Sequence, residues 1–256
     1  MTPCTQGKYC DRPRLSKPVD DCDPGYYCPL KSTSRKQKQC EPGNYCPKGS
    51  PIPTPCKPGT YVTGYGHVNE SECLPCEAGK FCNVSGLHEP QGDCDPGYFC
   101  PPGQSISNPS AYPCPAGHFC KQGSPNATRC PNGTYQIAEY NSDCDLCPQG
   151  YYCDSTELPV AFRGLECPAG HYCRQGTKFA TQYKCPEGTW SNRTKLVDPS
   201  ECFGCPPRYY CQQKGLPEPE GLCFAGYYCI GNASRPIRQK RNVQRDITVQ
   251  REAISQ

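Results

Sequence analysis

The sequence predicts a small disulfide-rich protein: an elongated array of short-stranded, cysteine-rich repeats with little regular secondary structure. Cysteine supplies 26 of the 256 residues, and a motif that opens with cysteine returns every 16 to 20 residues along the chain. Proline (31) and glycine (25) together make up more than a fifth of the residues. A chain of this composition relies on crosslinks where an ordinary domain relies on a buried core.

The repeated motif has the form seen at residues 167–173, Cys-Pro-Ala-Gly-His-Tyr-Cys. An aromatic residue stands five places after the opening cysteine in all thirteen copies, and a glycine stands three places after it in all but copy 12, which has Arg208. Ten copies close with a second cysteine, whereas copies 4, 8 and 11 read Gly-Thr-Tyr or Gly-Thr-Trp and lack it. Numbered in chain order, the copies open at Cys4, Cys22, Cys40, Cys56, Cys76, Cys94, Cys114, Cys130, Cys147, Cys167, Cys185, Cys205 and Cys223.

The motif predicts a sharp chain reversal followed by an extended segment. Proline fixes φ, and glycine adopts positive φ without a Cβ clash, so a Pro-x-Gly start reverses the chain. The aromatic ring then lies beside a disulfide and supplies apolar area that a thin domain cannot gather otherwise. We expect strands of two to four residues flanking polar turns, and no substantial helix before residue 233. If each unit touches only its neighbours, the array is elongated.

A longer period divides the chain into blocks. Copies 4, 8 and 11 each run into a Cys-x2-Cys joint, and the joints lie at Cys73 and Cys76, Cys144 and Cys147, and Cys202 and Cys205. The predicted blocks are residues 1–73, 74–144, 145–202 and a partial block at 203–232, followed by a tail at 233–256.

The tail has no cysteine and no aromatic residue and carries a net charge of +4. It is expected to be disordered. Because the whole chain carries +3, the repeat region sums to about −1. Basic character is therefore predicted to be confined to the tail, which gives no reason to expect nucleic-acid binding by the array. Residues 238–241, Arg-Gln-Lys-Arg, resemble a proprotein-convertase cleavage site.

The cysteine count and the asparagines both indicate an extracellular protein. All 26 cysteines belong to the repeat, so none is left over as a free thiol, and this points to an oxidising compartment. Six of the ten asparagines stand in Asn-x-Ser/Thr sequons, far above chance, and predict N-glycosylation. These are Asn69, Asn83, Asn126, Asn132, Asn192 and Asn232.

The start of the chain shows no signal peptide, because Met1 is followed at once by the first repeat. The best apolar stretch, residues 158–162, is broken by Pro159 and is too short to span a membrane. We therefore expect the sequence to be a fragment whose native start is not Met1.

The run Cys-Pro-x-Gly-Thr-Tyr, a spacer, Cys-x2-Cys and then Pro-x-Gly-x-Tyr-Cys resembles the ephrin-receptor-type and tumour-necrosis-factor-receptor-type cysteine-rich repeats of extracellular proteins. The resemblance covers Cys4 to Cys229. It implies an elongated, disulfide-laddered, non-enzymatic array. The additional Cys-x5-Cys copies in the first two blocks depart from that pattern, so no pairing is carried over there.

The resemblance also implies a partial disulfide pairing. It pairs the cysteine of each Gly-Thr-aromatic copy with the first cysteine of the following joint, as Cys56–Cys73, Cys130–Cys144 and Cys185–Cys202. In the last two four-cysteine groups it suggests crossed pairs between copies, namely Cys147–Cys167 with Cys153–Cys173 and Cys205–Cys223 with Cys211–Cys229. The alternative pairs the two cysteines within each motif, and the sequence does not decide between them.

Metal binding and catalysis find little support in the sequence. A Cys-x2-Cys joint could be half of a zinc site, but a zinc ribbon needs a second pair and would leave the other cysteines unexplained. His118 and His171 occupy a variable place of the motif, which indicates surface positions and not a catalytic base. The aspartates beside the cysteines lack the dense spacing of a calcium loop. We expect no enzyme activity, no metal and no cofactor.

Two functions fit these observations. The first is a structural or adhesive spacer segment of a larger secreted or membrane-anchored multidomain protein. The alternative is a ligand-binding ectodomain segment of a cell-surface receptor. Either would have extracellular proteins or matrix as partners, with no nucleic acid and no membrane span within this chain.

Overall fold

The computed structural model describes residues 4–12, 17–156 and 164–236. These residues contain thirteen disulfides, twenty strands of two residues each, two 3₁₀ turns and no α-helix. The predicted class, a small disulfide-rich repeat array of short strands, is confirmed. Residue 1, the apolar stretch at 158–162, the cleavage-site motif at 238–241 and the tail from residue 237 onward lie outside the described residues.

The strands and turns follow one another in the order of the copies. The two 3₁₀ turns span Glu70–Glu72 and Pro199–Glu201. The strands are β1 (Lys8–Tyr9), β2 (Asp20–Asp21), β3 (Tyr26–Tyr27), β4 (Lys38–Gln39), β5 (Asn44–Tyr45), β6 (Thr54–Pro55), β7 (Thr60–Tyr61), β8 (Leu74–Pro75), β9 (Lys80–Phe81), β10 (Gly92–Asp93), β11 (His118–Phe119), β12 (Thr128–Arg129), β13 (Thr134–Tyr135), β14 (Asp145–Leu146), β15 (Tyr151–Tyr152), β16 (Leu165–Glu166), β17 (Thr189–Trp190), β18 (Phe203–Gly204), β19 (Tyr209–Tyr210) and β20 (Gly221–Leu222).

Each pair of consecutive strands forms one antiparallel hairpin, and there are ten in the described part of the chain. The first strand holds the motif aromatic and the residue before it, and the second holds the two residues before the next opening cysteine. In copy 2, Tyr26 lies opposite Gln39 and Tyr27 lies opposite Lys38. Copies 6 and 10 have a single bridge in place of a hairpin, Tyr98 with Pro113 and His171 with Lys184.

Along copies 1 to 7 and along copies 8 to 13, backbone hydrogen bonds join one copy to the next through the residue three places after the opening cysteine, which we name the turn glycine. In copy 4 the turn glycine is Gly59, whose N–H donates to the carbonyl of Cys82 at 2.8 Å. Its own carbonyl accepts from the N–H of Cys76, also at 2.8 Å. The same two bonds recur from copy 1 to copy 7 and from copy 8 to copy 13.

A second backbone position with positive φ lies nine or ten places after the opening cysteine, and we name it the return residue. In copy 6 it is Gly103, with φ of 87°, and its N–H donates to the carbonyl of Cys76 in copy 5. Its carbonyl also lies against the turn glycine of copy 4, because a Cβ on Gly59 would stand 2.6 Å from the oxygen of Gly103. Each such copy therefore contacts the next two copies. The expectation that a unit touches only its neighbours is wrong, since the turn after the motif reaches back two copies.

The core consists almost entirely of the disulfides. Among the described residues, the only buried apolar side chains besides cysteine are Tyr61, Val62, Pro109, Leu196 and Ala233. Tyr61 packs with two cysteines of copy 5 and with Leu87, and Leu196 packs with Tyr172 and the third long disulfide. As the sequence suggested, crosslinks replace a core of aliphatic residues.

All 26 cysteines are in disulfides. The three pairs that close onto the joints, Cys56–Cys73, Cys130–Cys144 and Cys185–Cys202, are present as the resemblance implied. The crossed pairing is wrong, because the other ten disulfides lie within single motifs. They are Cys4–Cys10, Cys22–Cys28, Cys40–Cys46, Cys76–Cys82, Cys94–Cys100, Cys114–Cys120, Cys147–Cys153, Cys167–Cys173, Cys205–Cys211 and Cys223–Cys229.

The geometry of the turn explains the pairing within motifs. The Pro-x-Gly reversal brings the two ends of the motif together, so that the Cα atoms of Cys167 and Cys173 lie 5.8 Å apart, within the range that a disulfide bridges. The copies are then held to one another by backbone hydrogen bonds and not by disulfides between them.

The contacts group the copies into two units. The first comprises residues 1–129 and 138–143, and the second comprises residues 130–137 and 144–256. The described part of each unit contains the hydrogen-bond pattern of turn glycines and return residues.

Candidate functional site

The first and third joints share a capped 3₁₀ turn just before their first cysteine. Both read Asn/Asp-x-Ser-Glu-Cys, with Asn69 or Asp198 as the N-cap residue. The Glu72 carboxylate accepts from the backbone N–H groups of Val68 and Asn69 at 2.9 and 3.1 Å, and the Glu201 carboxylate accepts from the residue before Asp198 at 2.9 Å. This turn was not predicted from the sequence, although an acid three places after an N-cap residue is its signal.

His67 is fixed beside the first joint by two acceptors. Its Nδ1 lies 2.6 Å from Glu72 Oε2, and its Nε2 lies 2.5 Å from the carbonyl oxygen of Thr63. A neutral imidazole carries one N–H, so only the protonated ring donates to both oxygens. The hydrogen bond to Glu72 raises the pKa of His67 against the opposing effect of burial, and the Thr63 carbonyl adds to the increase.

The contacts at the first joint also change the pKa of the Glu72 carboxylate. The Val68 N–H and then His67 lower the pKa of Glu72 below its usual value, while partial burial opposes them. The first joint therefore holds an ion pair whose two members each favour the charged form of the other.

A shallow cleft of about 390 Å³ adjoins this turn. The Lys57 ammonium and the Glu70 carboxylate form an ion pair of 3.1 Å there, and the Thr60 hydroxyl donates to the Lys57 carbonyl at 2.7 Å. The Lys57, Glu70 and Thr60 side chains are therefore all engaged in contacts within the cleft. It is lined by Lys57, Thr60, Glu70, Ser71, Cys73 and Pro75.

The joint cysteines themselves offer no thiolate. All six, Cys73, Cys76, Cys144, Cys147, Cys202 and Cys205, are in disulfides. A zinc site at a Cys-x2-Cys joint requires both sulfurs as thiolates, and the oxidised joint cannot supply them.

His118 and His171 are half-buried and lie against the turns of their own copies. Their Nδ1 atoms lie 3.3 and 3.1 Å from the carbonyl oxygens of Ala116 and Ala169. These rings support the turn and are not grouped with an acid or a nucleophile in the contacts described.

The six predicted glycosylation sites all lie in described residues, and they are spread over several copies. Five of the asparagines are exposed, and Asn132 is half-buried. Its side-chain oxygen accepts from both the N–H and the hydroxyl of Ser155. Asn232 is a return residue with φ of 65°, and its side chain covers Gly204. Glycosylation of these residues stays a prediction.

Charge is distributed unevenly along the repeats. Residues 1–60 hold ten Lys or Arg against five Asp or Glu, a net charge of +5, whereas residues 61–160 hold three against eleven, a net charge of −8. The prediction that basic character is confined to the tail is therefore wrong. The sum of −1 for the repeat region conceals a basic first segment that an acidic second segment balances.

Comparison with known proteins gives little further information. No family model matches the chain. A provisionally named white-brown complex homolog protein 30 of Arabidopsis thaliana is 30% identical over 105 residues, which is 41% of this chain. The chain spans only 7% of that protein's length. Within the residues that the structure describes, no helix has the length and apolar character needed to cross a membrane.

Proposed function

We propose that this chain is a non-enzymatic extracellular spacer, a structural or adhesive segment of a larger secreted or membrane-anchored multidomain protein. The density of disulfides supports an extracellular location. The observation that carries the proposal is the backbone ladder in which turn glycines and return residues tie one copy to the next two.

A ladder of this kind suits a load-bearing role. The disulfides lock each motif, so under tension only the segments outside the disulfide loops can extend, and the hydrogen bonds between copies oppose that extension. The bonds between copies involve backbone atoms, so they tolerate the varied side chains of the turns. A spacer needs this combination of mechanical continuity and freedom of surface sequence.

The cleft at the first joint supports the non-enzymatic part of the proposal. Its ion pair, Lys57 with Glu70, is more than half exposed at both side chains, and its hydroxyl from Thr60 is committed to a backbone carbonyl. A catalytic site instead requires a nucleophile or base directed at a substrate position.

Single-molecule extension of the full chain, attached at its two ends, tests the proposal. Without reductant we expect the chain to resist extension and to release only the segments outside disulfide loops. The Gly59→Ala variant should yield at lower force, and Gly226→Ala, whose position faces open space, should yield at a force much closer to that of the parent chain. A non-reduced chain that extends without resistance at the lowest forces, or equal behaviour of both variants, would contradict a load-bearing ladder.

A further inference from the structure

The hairpin loop of copy 2 concentrates positive charge. This segment, residues 29–39, is named the basic loop; it contains Lys31, Arg35, Lys36 and Lys38, and no acidic residue stands between Asp23 and Glu41. Residue 31 and all of residues 33–39 are exposed. Four cations thus share one short surface segment.

The basic loop has a defined conformation. Ser32 is 3% exposed, and its hydroxyl donates to the carbonyl of Pro29 at 2.7 Å. The side-chain oxygen of Gln37 accepts from the backbone N–H groups of Thr33 and Ser34 at 3.1 and 3.2 Å. Because the backbone is held in place, a ligand that contacts the cations meets a lower entropic cost of ordering than it would on a free loop.

Most of the charge in the basic loop is unbalanced. Arg35 lies 3.5 Å from the Asp23 carboxylate, but within residues 4–12, 17–156 and 164–236 no carboxylate lies within ion-pair distance of Lys31, Lys36 or Lys38. Some lysines elsewhere in the array do have an acidic partner, as Lys57 does 3.1 Å from the Glu70 carboxylate.

Two tyrosines position the free ammonium groups. The Lys36 Nζ lies 5.6 Å from the centre of the Tyr26 ring, and the Lys38 Nζ lies 5.9 Å from the centre of the Tyr27 ring. A cation over an aromatic face is oriented but keeps its charge, so both remain available to an anion.

The distribution of sequons and charge along the chain also favours the region around the basic loop as the binding site for a polyanion. None of the six sequons falls within residues 1–60, whereas all lie between residues 69 and 232. The next hundred residues carry a net charge of −8 and repel anions. The first three copies therefore combine positive charge with a surface that has no predicted glycan.

We propose that the basic loop binds a linear sulfated polysaccharide of the extracellular matrix. Sulfate groups keep their charge at all physiological pH values and repeat along the polymer, so one chain can contact several cations at once. An extracellular location excludes nucleic acid as the ordinary partner, and the described residues contain no amphipathic helix that would insert in a lipid surface. The proposal rests on the extracellular, adhesive part of the proposed function and gives it a partner.

The test uses the full chain and immobilised heparin, with elution by sodium chloride and titration of soluble heparin in 150 mM salt. The triple variant Lys31→Asn, Lys36→Gln, Lys38→Gln should elute at lower salt and bind about tenfold more weakly, since exposed ion pairs contribute modestly and add up. The charge-matched control Lys121→Gln, Lys178→Gln, Lys214→Gln should bind like the parent chain. All six lysines are exposed, so neither variant removes a buried group.

Three further arms separate the possible sources of binding. Desulfated heparin should not bind, and phosphatidylserine vesicles should bind no better than neutral vesicles at 150 mM salt. A variant with Arg238, Lys240 and Arg241 changed to Gln should retain heparin binding. Binding that is lost with these three residues, binding to vesicles but not to heparin, equal losses in the two lysine variants, or no heparin binding at all would each overturn the proposal. The extension experiment does not depend on heparin binding. It therefore tests the proposed spacer function separately from this proposal.

Discussion

Gly59 and Gly103 lie 44 positions apart in sequence, yet a Cβ on the first would stand 2.6 Å from the carbonyl oxygen of the second. Both have positive φ, 85° and 87°. The first residue closes the turn of its own motif, and the second carries the chain back onto it from two copies ahead. One glycine therefore meets two requirements, a left-handed backbone and the absence of a side chain.

The two requirements can be separated by substitution. Gly59 and Gly226 have the same φ of 85°, but nothing lies within 4 Å of a Cβ on Gly226. Gly226→Ala should lower the free energy of unfolding by about 1 kcal/mol from backbone strain alone. Gly59→Ala should lower it by roughly 2 to 4 kcal/mol, because overpacking is added to that strain. Denaturant unfolding without reductant measures both changes. Equal losses of unfolding free energy would mean that the close approach of Gly103 to Gly59 does not contribute to stability.

Peptide mapping tests the disulfide pairing. Trypsin cleaves after Arg129, Arg163 and Arg174, which separates residues 130–163 from residues 164–174. With pairing within motifs, the non-reduced digest should contain residues 164–174 as an independent peptide that holds the disulfide Cys167–Cys173. The crossed pairing would instead link the two peptides, and a species with their combined mass in the non-reduced digest would contradict pairing within motifs.

Disulfides of different loop length should contribute differently to stability. Cys185 and Cys202 are 17 positions apart, whereas Cys167 and Cys173 are 6 apart. The chain-entropy model assigns roughly 3 kcal/mol to the longer loop and roughly 2 kcal/mol to the shorter one. Replacing each pair by alanine and comparing denaturant midpoints measures the difference. A larger loss from the shorter loop would point to strain or packing as the dominant contribution.

The ion pair at the first joint predicts a pH dependence. Because the pKa of His67 is raised in the folded state, its contribution is complete below its ordinary pKa of 6.5 and is lost as pH rises through the folded value. Glu72 has a lowered pKa, so its contribution is present above 4.5 and is lost as pH falls through the folded value. Stability from this pair is therefore greatest between these two ordinary values.

Comparing melting temperatures at pH 5.5 and 8.5 examines this pair. The parent chain should gain stability at the lower pH relative to His67→Gln, which lacks the ion pair. His88→Gln, at an exposed histidine, is the matched control and should follow the parent. Identical pH profiles for the parent and His67→Gln would show that the contact with Glu72 has no effect on folding.

The predicted glycans can be read directly by mass. Enzymatic removal of N-glycans converts each modified asparagine to aspartate, and we expect that change at the exposed sequons Asn69, Asn83, Asn126, Asn192 and Asn232 in protein secreted from animal cells. Secreted protein with unmodified asparagine at all five would contradict the sequon prediction.

Replacement of Asn132 by alanine should destabilise the fold by about 1 kcal/mol, because it removes the acceptor for Ser155.

The sequence was sufficient for the features that depend on local chemistry. The Pro-x-Gly start predicts the reversal seen at Gly170, and the alternation of turns with aromatic residues predicts short strands such as β7. The disulfide Cys56–Cys73 followed from a resemblance. Each of these involves residues close in sequence or a pattern already known from other extracellular repeats.

The features that were missed depend on contacts between copies. The return residue is glycine at Gly103 but Lys31, Tyr140, Lys195 and Asn232 in other copies, so composition alone hides it. Its role is visible only when copies two apart are placed together.

The turn at the first joint was overlooked for a different reason. Its signal, Asn69 with Glu72, is short and is surrounded by cysteines that carry the stronger pattern.

Arg208 is the one non-glycine among the turn positions, and it keeps the backbone role of the glycines. It has φ of 75° and makes both ladder hydrogen bonds to copy 13. These contacts are between backbone atoms, which every copy possesses whatever its side chains. Insertion or loss of a copy that carries its own disulfide is therefore expected to leave the same backbone contacts available to the copies on either side.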